Sequence, residues 1–563
     1  PGGFRPDGSF VAGSIIDGSG FNPDNPDGLA WVTKISSLTY AGNPAVPDAA
    51  VVTVLDDPRG PSGYAPSLDG FTITGGAQSD FPANINELTG GIRPPYGASG
   101  ALITQGGGIY LHNNVRSMQI TDNVIKGNGG SYGGGVRVGT PYVTNNRNTD
   151  LNLSNNQIRD NGGTNLAGGV GLFAGSDGYQ VNHNAMCGNF SAEYGGAISA
   201  FGYQESAAGT ASKGGSITKN RMWFNASYDE GGAVMIAGEL PADPTKLSEG
   251  TGRVRIDANV IQANLANDDG GGIRLLQVTG SHVTTKNLAE SQAITITNNT
   301  VANNVSAHEG GGIALDDAAF VNIVNNTIAK NLTTATAVTS DGTAAPAGLS
   351  TATNSDPLQA LLRTLNSSPS GSAATLVATA YSKPTLLNDV FWDNRAGTFD
   401  GGVVCGIDSP ACPGITHWDM GVADNLSATL EPTHSVVQDL TSVSDDGSNR
   451  TGDTADPGFV SEYNVDVNIL ASRTYPAFRQ AMIVAQILPP YLKGDYHLSG
   501  SASPAYGVGA ARTDVHWGTY NPTKLNPWSG WTYPISAPTP DIDGQPRPGA
   551  ATRYDAGSDQ LVP

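Results

Sequence analysis

The chain has 563 residues, is rich in glycine (74) and proline (35), and carries charge on only 14% of its positions. Its 29 Lys and Arg against 50 Asp and Glu leave a net charge of −21. That balance argues against nucleic acid and anionic membranes as partners, and for solubility or cation binding. No apolar run is long enough to span a bilayer. The chain begins at Pro1 rather than Met and shows no signal segment, so it reads as a processed or visible part of a longer polypeptide whose other domains would be partners.

Residues 1–100 read as irregular first coils with Pro- and Gly-rich loops, and residues 101–331 as a regular repeat. Within the repeat an asparagine is followed at i+2 by an apolar residue and at i+5 by a second asparagine. The units are Asn123-Ile125-Asn128, Asn156-Ile158-Asn161, Asn184-Met186-Asn189, Asn220-Met222-Asn225, Asn259-Ile261-Asn264, Asn299-Val301-Asn304 and Asn326-Ile328-Asn331. A degenerate member, Asp389-Phe391-Asn394, follows. Between the units recurs a glycine phrase ending in an aliphatic residue, as in Tyr132 to Val136, Glu230 to Val234, Asp269 to Ile273, Glu309 to Ile313 and Asp400 to Val404. Around both phrases β-branched residues alternate with period two, the signature of short strands with one buried face.

A repeat of this length makes one unit per copy, and the units must stack to bury their apolar side. Asn-Gly or Asp-Gly hairpin turns are mostly absent, which disfavours a sandwich. The expected fold is therefore all-β: a single parallel β-helix of roughly a dozen coils, with long loop excursions and a C-terminal cap. A right-handed coil, the hand implied by the family resemblance given below, agrees with the rule for parallel crossovers. The asparagines are expected to ladder at turns, taking up the left-handed conformation and bonding their own backbone. The glycines are expected to supply φ > 0 at a sharp corner.

Residues 332–385 turn to Ala, Ser and Thr and read as an excursion, with Leu358 to Leu365 the best candidate for a helical turn. Late coils with loop excursions occupy 386–511. There Cys405 and Cys412 bracket a loop short enough to close as a disulfide, which fits an oxidising compartment. Cys187 is expected to point outward as an incidental thiol. The tail, 512–563, carries Trp517, Tyr520, Trp528, Trp531 and Tyr533, read as cap packing ahead of a sugar-stacking platform.

The phrases Ile16-Asp17-Gly18-Ser19-Gly20, Asp69 to Gly76, Gly494 to Leu498, Asp541 to Gly544 and Tyr554 to Gly557 resemble the first and last coils of secreted parallel β-helix proteins of the pectin-lyase-like superfamily. In particular they resemble the β-helix portions of large bacterial surface proteins. The resemblance implies the fold, its hand and an extracellular or cell-surface place in a bacterium. It leaves function open, because that fold hosts enzymes, adhesins and spacers alike.

One cluster carries chemistry. Asp229-Glu230, Asp268-Asp269 and His308-Glu309 hold equivalent places in three consecutive units, with Asp400 in a later one and Glu193-Tyr194 before them. In register they would form two columns about one strand spacing, ~4.8 Å, apart. Such a column is a solvated turn, a Ca²⁺ site built from Asp229, Glu230, Asp268, Asp269 and Glu309, or a catalytic carboxylate set. For catalysis the candidates are Asp268, Asp269, Arg274 and His308, with Arg137 and Arg274 expected to point outward. Of the polygalacturonase phrases only an Asp-Asp pair remains; Gly-His-Gly and Arg-x-Lys are missing. A phosphate loop, a His-Glu-x-x-His helix and His-x-His pairs are also missing. The favoured reading is an extracellular structural or adhesive module facing polysaccharide or cell-surface components. The alternative is a Ca²⁺-dependent polysaccharide lyase or a glycoside hydrolase acting through Asp268 and Asp269.

Overall fold

A computed structural model describes residues 3–4, 10–11, 13–19, 30, 50–55 and 63–76. From 107 onward it describes all but 113, 131, 140, 142–147, 164, 174, 205–211, 244, 284–293, 367–379, 471–482, 488–493, 521–527, 549–553 and 562–563. In 3–4, 10–11, 365–366, 468–470, 483–487, 516–520 and 528–533 the backbone alone is described, so the reading of the five tail aromatics lies outside the described side chains.

The chain winds as a parallel β-helix with four sheets, S1 to S4. In one coil Asn152–Ser154 belongs to S1, Gln157–Arg159 to S2, Gly162–Gly163 to S3 and Val170–Phe173 to S4. Each strand pairs in parallel with its equivalents in the neighbouring coils, as in Val136↔Val170 and Val170↔Ile198. S2 is the longest stack, with 12 strands among the described residues, which matches the dozen coils expected from the repeat. Unbroken register follows from apolar residues of similar size at equivalent places: Ile120, Leu153, Val181, Ile217 and Ile256 ladder inward from S1, and Ile125, Ile158, Met186, Met222 and Ile261 from S2. All are fully buried. Each such side chain contributes about 1.5–3 kcal/mol by leaving water.

The asparagines do ladder, but in a way the sequence did not disclose. One ladder turns the chain from S1 to S2 and the other from S2 to S3. The Oδ1 of Asn184 accepts both the backbone N–H of Asn156 (2.9 Å) and its side-chain amide (3.0 Å), while the Asn156 amide also donates to the Ile120 carbonyl (2.8 Å). The left-handed conformation falls on the residue before each ladder asparagine: Asn155, Asp160, His183, Lys219, Ala258 and Ala263 all have φ near +55°. That position needs only a tolerated αL residue. The ladder position needs a carboxamide, because only Asn offers an acceptor and two donors at this reach. The glycine corner is as expected at its first position, with φ +71° at Gly231. At Gly232 the requirement is close approach, since an added Cβ would lie 2.3 Å from the Gly271 carbonyl oxygen.

Several expectations change. Leu332–Thr333 is an S3 strand and Leu349–Thr351 an S4 strand, so the excursion leaves the coil only after Thr351. Within it Asp356–Asn366 is an α-helix, started by the acidic residue and proline of Asp356-Pro357 and docked through the buried Leu358 and Leu362 against Val283, Ala319 and Phe320. Asp400 is not in the acid column. Thr398–Asp400 and Val403–Cys405 form an antiparallel hairpin turned by Gly401 and Gly402, both at positive φ. The cap begins before residue 512 and covers a flank rather than the end. Tyr496, Leu498, Ala505, Val508 and Ala556 pack on Ala302, Ala329, Val390 and Trp392, the outward side of S2. In the last coils Leu430, ahead of the strand Pro432–Thr433, and Val443, beyond the strand Val436–Val437, pair in parallel and both pack on the inner core.

Candidate functional site

Sheet S4 has two buried faces. Its inner side lines the coil core; its outer side is covered by the corner that leads from S3 into S4, so a second seam runs along the molecule. The corner places Tyr132, Leu166, Tyr194, Glu230, Asp269 and Glu309 successively along the stack. Facing them from S4 are Tyr110, Arg137, Gly171, Ser199, Met235, Arg274, Ala314 and Ser350, in parallel register. Arg137 and Arg274 therefore point away from the coil core, as expected, yet both are buried. Arg137 lies over the Tyr110 ring at 4.1 Å and donates from Nε to the Gly139 carbonyl at 3.0 Å.

The corner residues of consecutive coils stack by backbone hydrogen bonds: Asp268 N–H to the Asp229 carbonyl, and His308 N–H to that of Asp268. This brings together all six residues of the expected columns. Arg274 sits among them. Its Nε donates to Glu230 Oε2 (3.1 Å), and its Nη2 lies 3.3 Å from Asp269 Oδ2 and 3.9 Å from Asp316 Oδ2. Its buried Nη1 makes no hydrogen bond among the described residues. His308 Nδ1 donates to Asp269 Oδ1 at 2.9 Å and lies 3.3 Å from Asp268 Oδ1. Thr339 donates to Asp268 (2.7 Å) and Ser350 to Glu309 (2.9 Å).

Burial and mutual proximity sort these groups into two protonation states. Burial, reinforced by Asp269, pushes the Glu309 carboxyl up to about 8. Burial pushes Glu230 up to about 7 against the opposing pull of Arg274. It pushes Asp316 up to about 6, and Asp229 well above the carboxylate range with help from Glu230 and Asp268. Burial works against charge on Asp269 as well, but Arg274 and His308 outweigh it and hold that carboxyl below its ordinary value. Burial alone would favour neutral His308; hydrogen bonds to Asp268 and Asp269 push it up to about 11. At neutral pH the cluster thus carries an ionised Asp269 between two cations, with a protonated Glu309 beside it and Glu230 close to its midpoint.

Among the candidate cation ligands, one ligand atom from each of Asp268, Asp269 and His308 falls within a 4.8 Å group. Arg274 and protonated His308 already supply the positive charge there, so the arrangement works as an internal ion-pair network with a built-in counter-ion. Grooves of about 570–610 Å³ lie on the outer sides of S1 and S2, and the acid column lines none of them.

The remaining candidates are scattered. Cys405 and Cys412 form a disulfide with Cα atoms 5.1 Å apart, inside the excursion that follows S3. Cys187 is half-buried on the outer side of S2, in register with Trp223. Sequence reasoning missed the cap's docking sites, although a signal existed. The outward positions of S2 change from Lys126 and Arg159 to Ala302 and Ala329 where the cap lies. Asparagine also fills the αL position there: Asn298 donates to the Pro540 carbonyl, Asn303 to that of Tyr463, Asn325 to that of Asp555 and Asn388 to that of Ala510. No helix among the described residues is long and apolar enough to cross a membrane. Family models, curated proteins and solved structures yield no match to this chain.

Proposed function

We propose that the chain is a rigid structural or adhesive module of the bacterial cell exterior, a pectin-lyase-like β-helix used as a spacer or surface element within a longer polypeptide. The observation that carries this reading is the continuity of the asparagine ladders. One runs from the Phe71 N–H through seven asparagines to Asp389, Ser435 and Asn449. The other runs from the Gly76 N–H to Asn394 and Asp419. Each rung adds two or three buried hydrogen bonds at about 0.5–1.5 kcal/mol net apiece, so the coils reinforce one another along the whole axis. The acid column supports the same reading, because its charges pair internally.

A carbohydrate-active enzyme is the second reading, favoured by one observation: a protonated Glu309 close to an ionised Asp269, the division of roles that glycoside hydrolysis requires. The deciding experiment is a panel of neutral and acidic polysaccharides assayed with and without Ca²⁺, reading unsaturated products by ultraviolet absorbance and reducing ends separately. The module reading expects no turnover on any of them. Turnover that disappears in Asp269→Asn would replace it with the enzymatic one.

A further inference from the structure

We propose that His497, Asp543 and Asp559 form a site for a divalent transition metal, Zn²⁺ foremost, at the edge of the cap. The three residues come from separate segments, 494–498, 541–545 and 554–561, which the fold brings to one point. One ligand atom from each lies within 4.8 Å of the others. Three features distinguish the cluster from a patch of surface acids. The first is orientation: Asp495 accepts the hydrogen bond of His497 Nδ1, which fixes the tautomer and turns Nε2 toward the other two carboxylates. A carboxylate behind the imidazole is the usual support of a metal-bound histidine.

The second is Nε2 itself. The atom is buried and lies 2.9 Å from Asp543 Oδ2, yet the two are not aligned as a hydrogen bond and Nε2 has no other partner among the described residues. Metal–ligand bonds of about 2.0–2.2 Å place ligand atoms about 3–4 Å apart, so this contact has the spacing of two ligands of one ion. The third is the pre-set geometry of Asp559, which is 6% exposed and whose Oδ2 accepts the Leu498 N–H at 2.9 Å, leaving its carboxylate locked in place.

One nitrogen and two carboxylates suit Zn²⁺ or Mn²⁺ better than Ca²⁺, which prefers oxygen alone. Three protein ligands leave at least one coordination position open. That position faces a groove of about 570 Å³, walled on the coil side by Lys219, Arg221 and Trp223 and on the cap side by Asp495, His497 and Asp543. The bound ion would tie the three cap segments together and offer a vacant position to an oxygen ligand entering the groove. Protons compete for the same nitrogen: burial disfavours charge on His497, but Asp495, Asp559 and Asp543 raise its proton affinity.

The test uses the whole chain, stripped with chelator and dialysed, and titrates Zn²⁺ and Mn²⁺ calorimetrically at pH 7.5. We expect one tight site that weakens at least tenfold in His497→Gln and in Asp543→Asn, and tenfold or more in Asp495→Asn. It should be undiminished in Asp268→Asn and should tighten as pH rises. Co²⁺ bound in its place should give a d–d absorption band that His497→Gln removes. Asp543 is half exposed, so Asp543→Asn should melt like the parent chain in EDTA and isolates binding from folding. No stoichiometric binding, affinity unchanged in His497→Gln and Asp543→Asn, or loss of binding in Asp268→Asn instead, each overturns the proposal.

Discussion

The seam outside S4 is filled in two ways along one molecule. In the coils of Leu166 and Tyr194 it is apolar and aromatic: Tyr132, Leu166, Phe173, Tyr194, Phe201 and Met235 form one cluster, with Tyr132 and Phe173 meeting edge to face at 6.0 Å. One to three coils later the same corner and the same strand positions carry Glu230, Asp269, Arg274 and Glu309. Backbone geometry is unchanged, so the contrast isolates side-chain chemistry. The aromatic half is held by contact area and tolerates imperfect partners. The charged half is held by complementarity, and each member depends on the charge state of the others.

The sharpest way to break this symmetry is to remove the counter-ion. Arg274→Ala should cost about 3–5 kcal/mol, because it strands Asp269 and Glu230 in a buried setting. Urea denaturation at pH 7.5 would read it, and adding Glu230→Gln with Asp269→Asn should recover most of the loss. Should Arg274→Ala melt like the parent, the pairing contributes nothing. In the aromatic half, Phe201→Leu should cost about 1–2 kcal/mol, the loss of ring area only, and that loss should not vary with pH.

A pH series sharpens the comparison further. Glu230 and Glu309 have folded values of about 7 and 8, above the ordinary 4.5, so their contribution is complete below about 4.5 and is lost as pH rises through 7 to 8. His308, raised from 6.5 to about 11, adds a loss between those limits. Melting temperature should therefore decline from pH 5 to pH 9, and Glu309→Gln should flatten the upper part of that decline. A rising profile across this range would contradict the assignment. The smallest effect concerns an acid with no cation at hand. Asp389 occupies an asparagine rung, is fully buried, and its Oδ2 has no hydrogen bond among the described residues, so burial drives its carboxyl well above the normal range. Asp389→Asn should restore the missing donor and stabilise the chain by about 1 kcal/mol; thermal denaturation beside the parent checks it.

The coil, its core and the stacking of the acids were legible because each depends on residue identity repeated at fixed spacing. Ile158, Asn161 and Glu230 announce their places by recurrence alone. What the repeat does not encode stayed hidden. Arg274 is a single substitution in a column that reads Met235 before it and Ala314 after it, and its burial depends on a corner folding back from another part of the coil. Asp400 shows the converse: its Gly-Gly phrase matches the repeat, yet Gly401 and Gly402 turn a hairpin, because the phrase is compatible with either path. The His497 cluster joins segments with no periodic relation, so only the folded chain brings them together.

Each ladder has a direction, since every Oδ1 accepts from the coil before it and every amide hands on to the coil after it. Donors and acceptors at a cut are consequently the same at any rung filled by asparagine. Removing one whole unit, for example the 28 residues from Asn156 up to Asn184, would rejoin Asn123 to Asn184 with every bond of the ladder re-formed. Length is then a free variable of this architecture: the reach of the molecule can be extended or shortened by duplication or loss of single coils, about 4.8 Å at a time, without inventing a new interface.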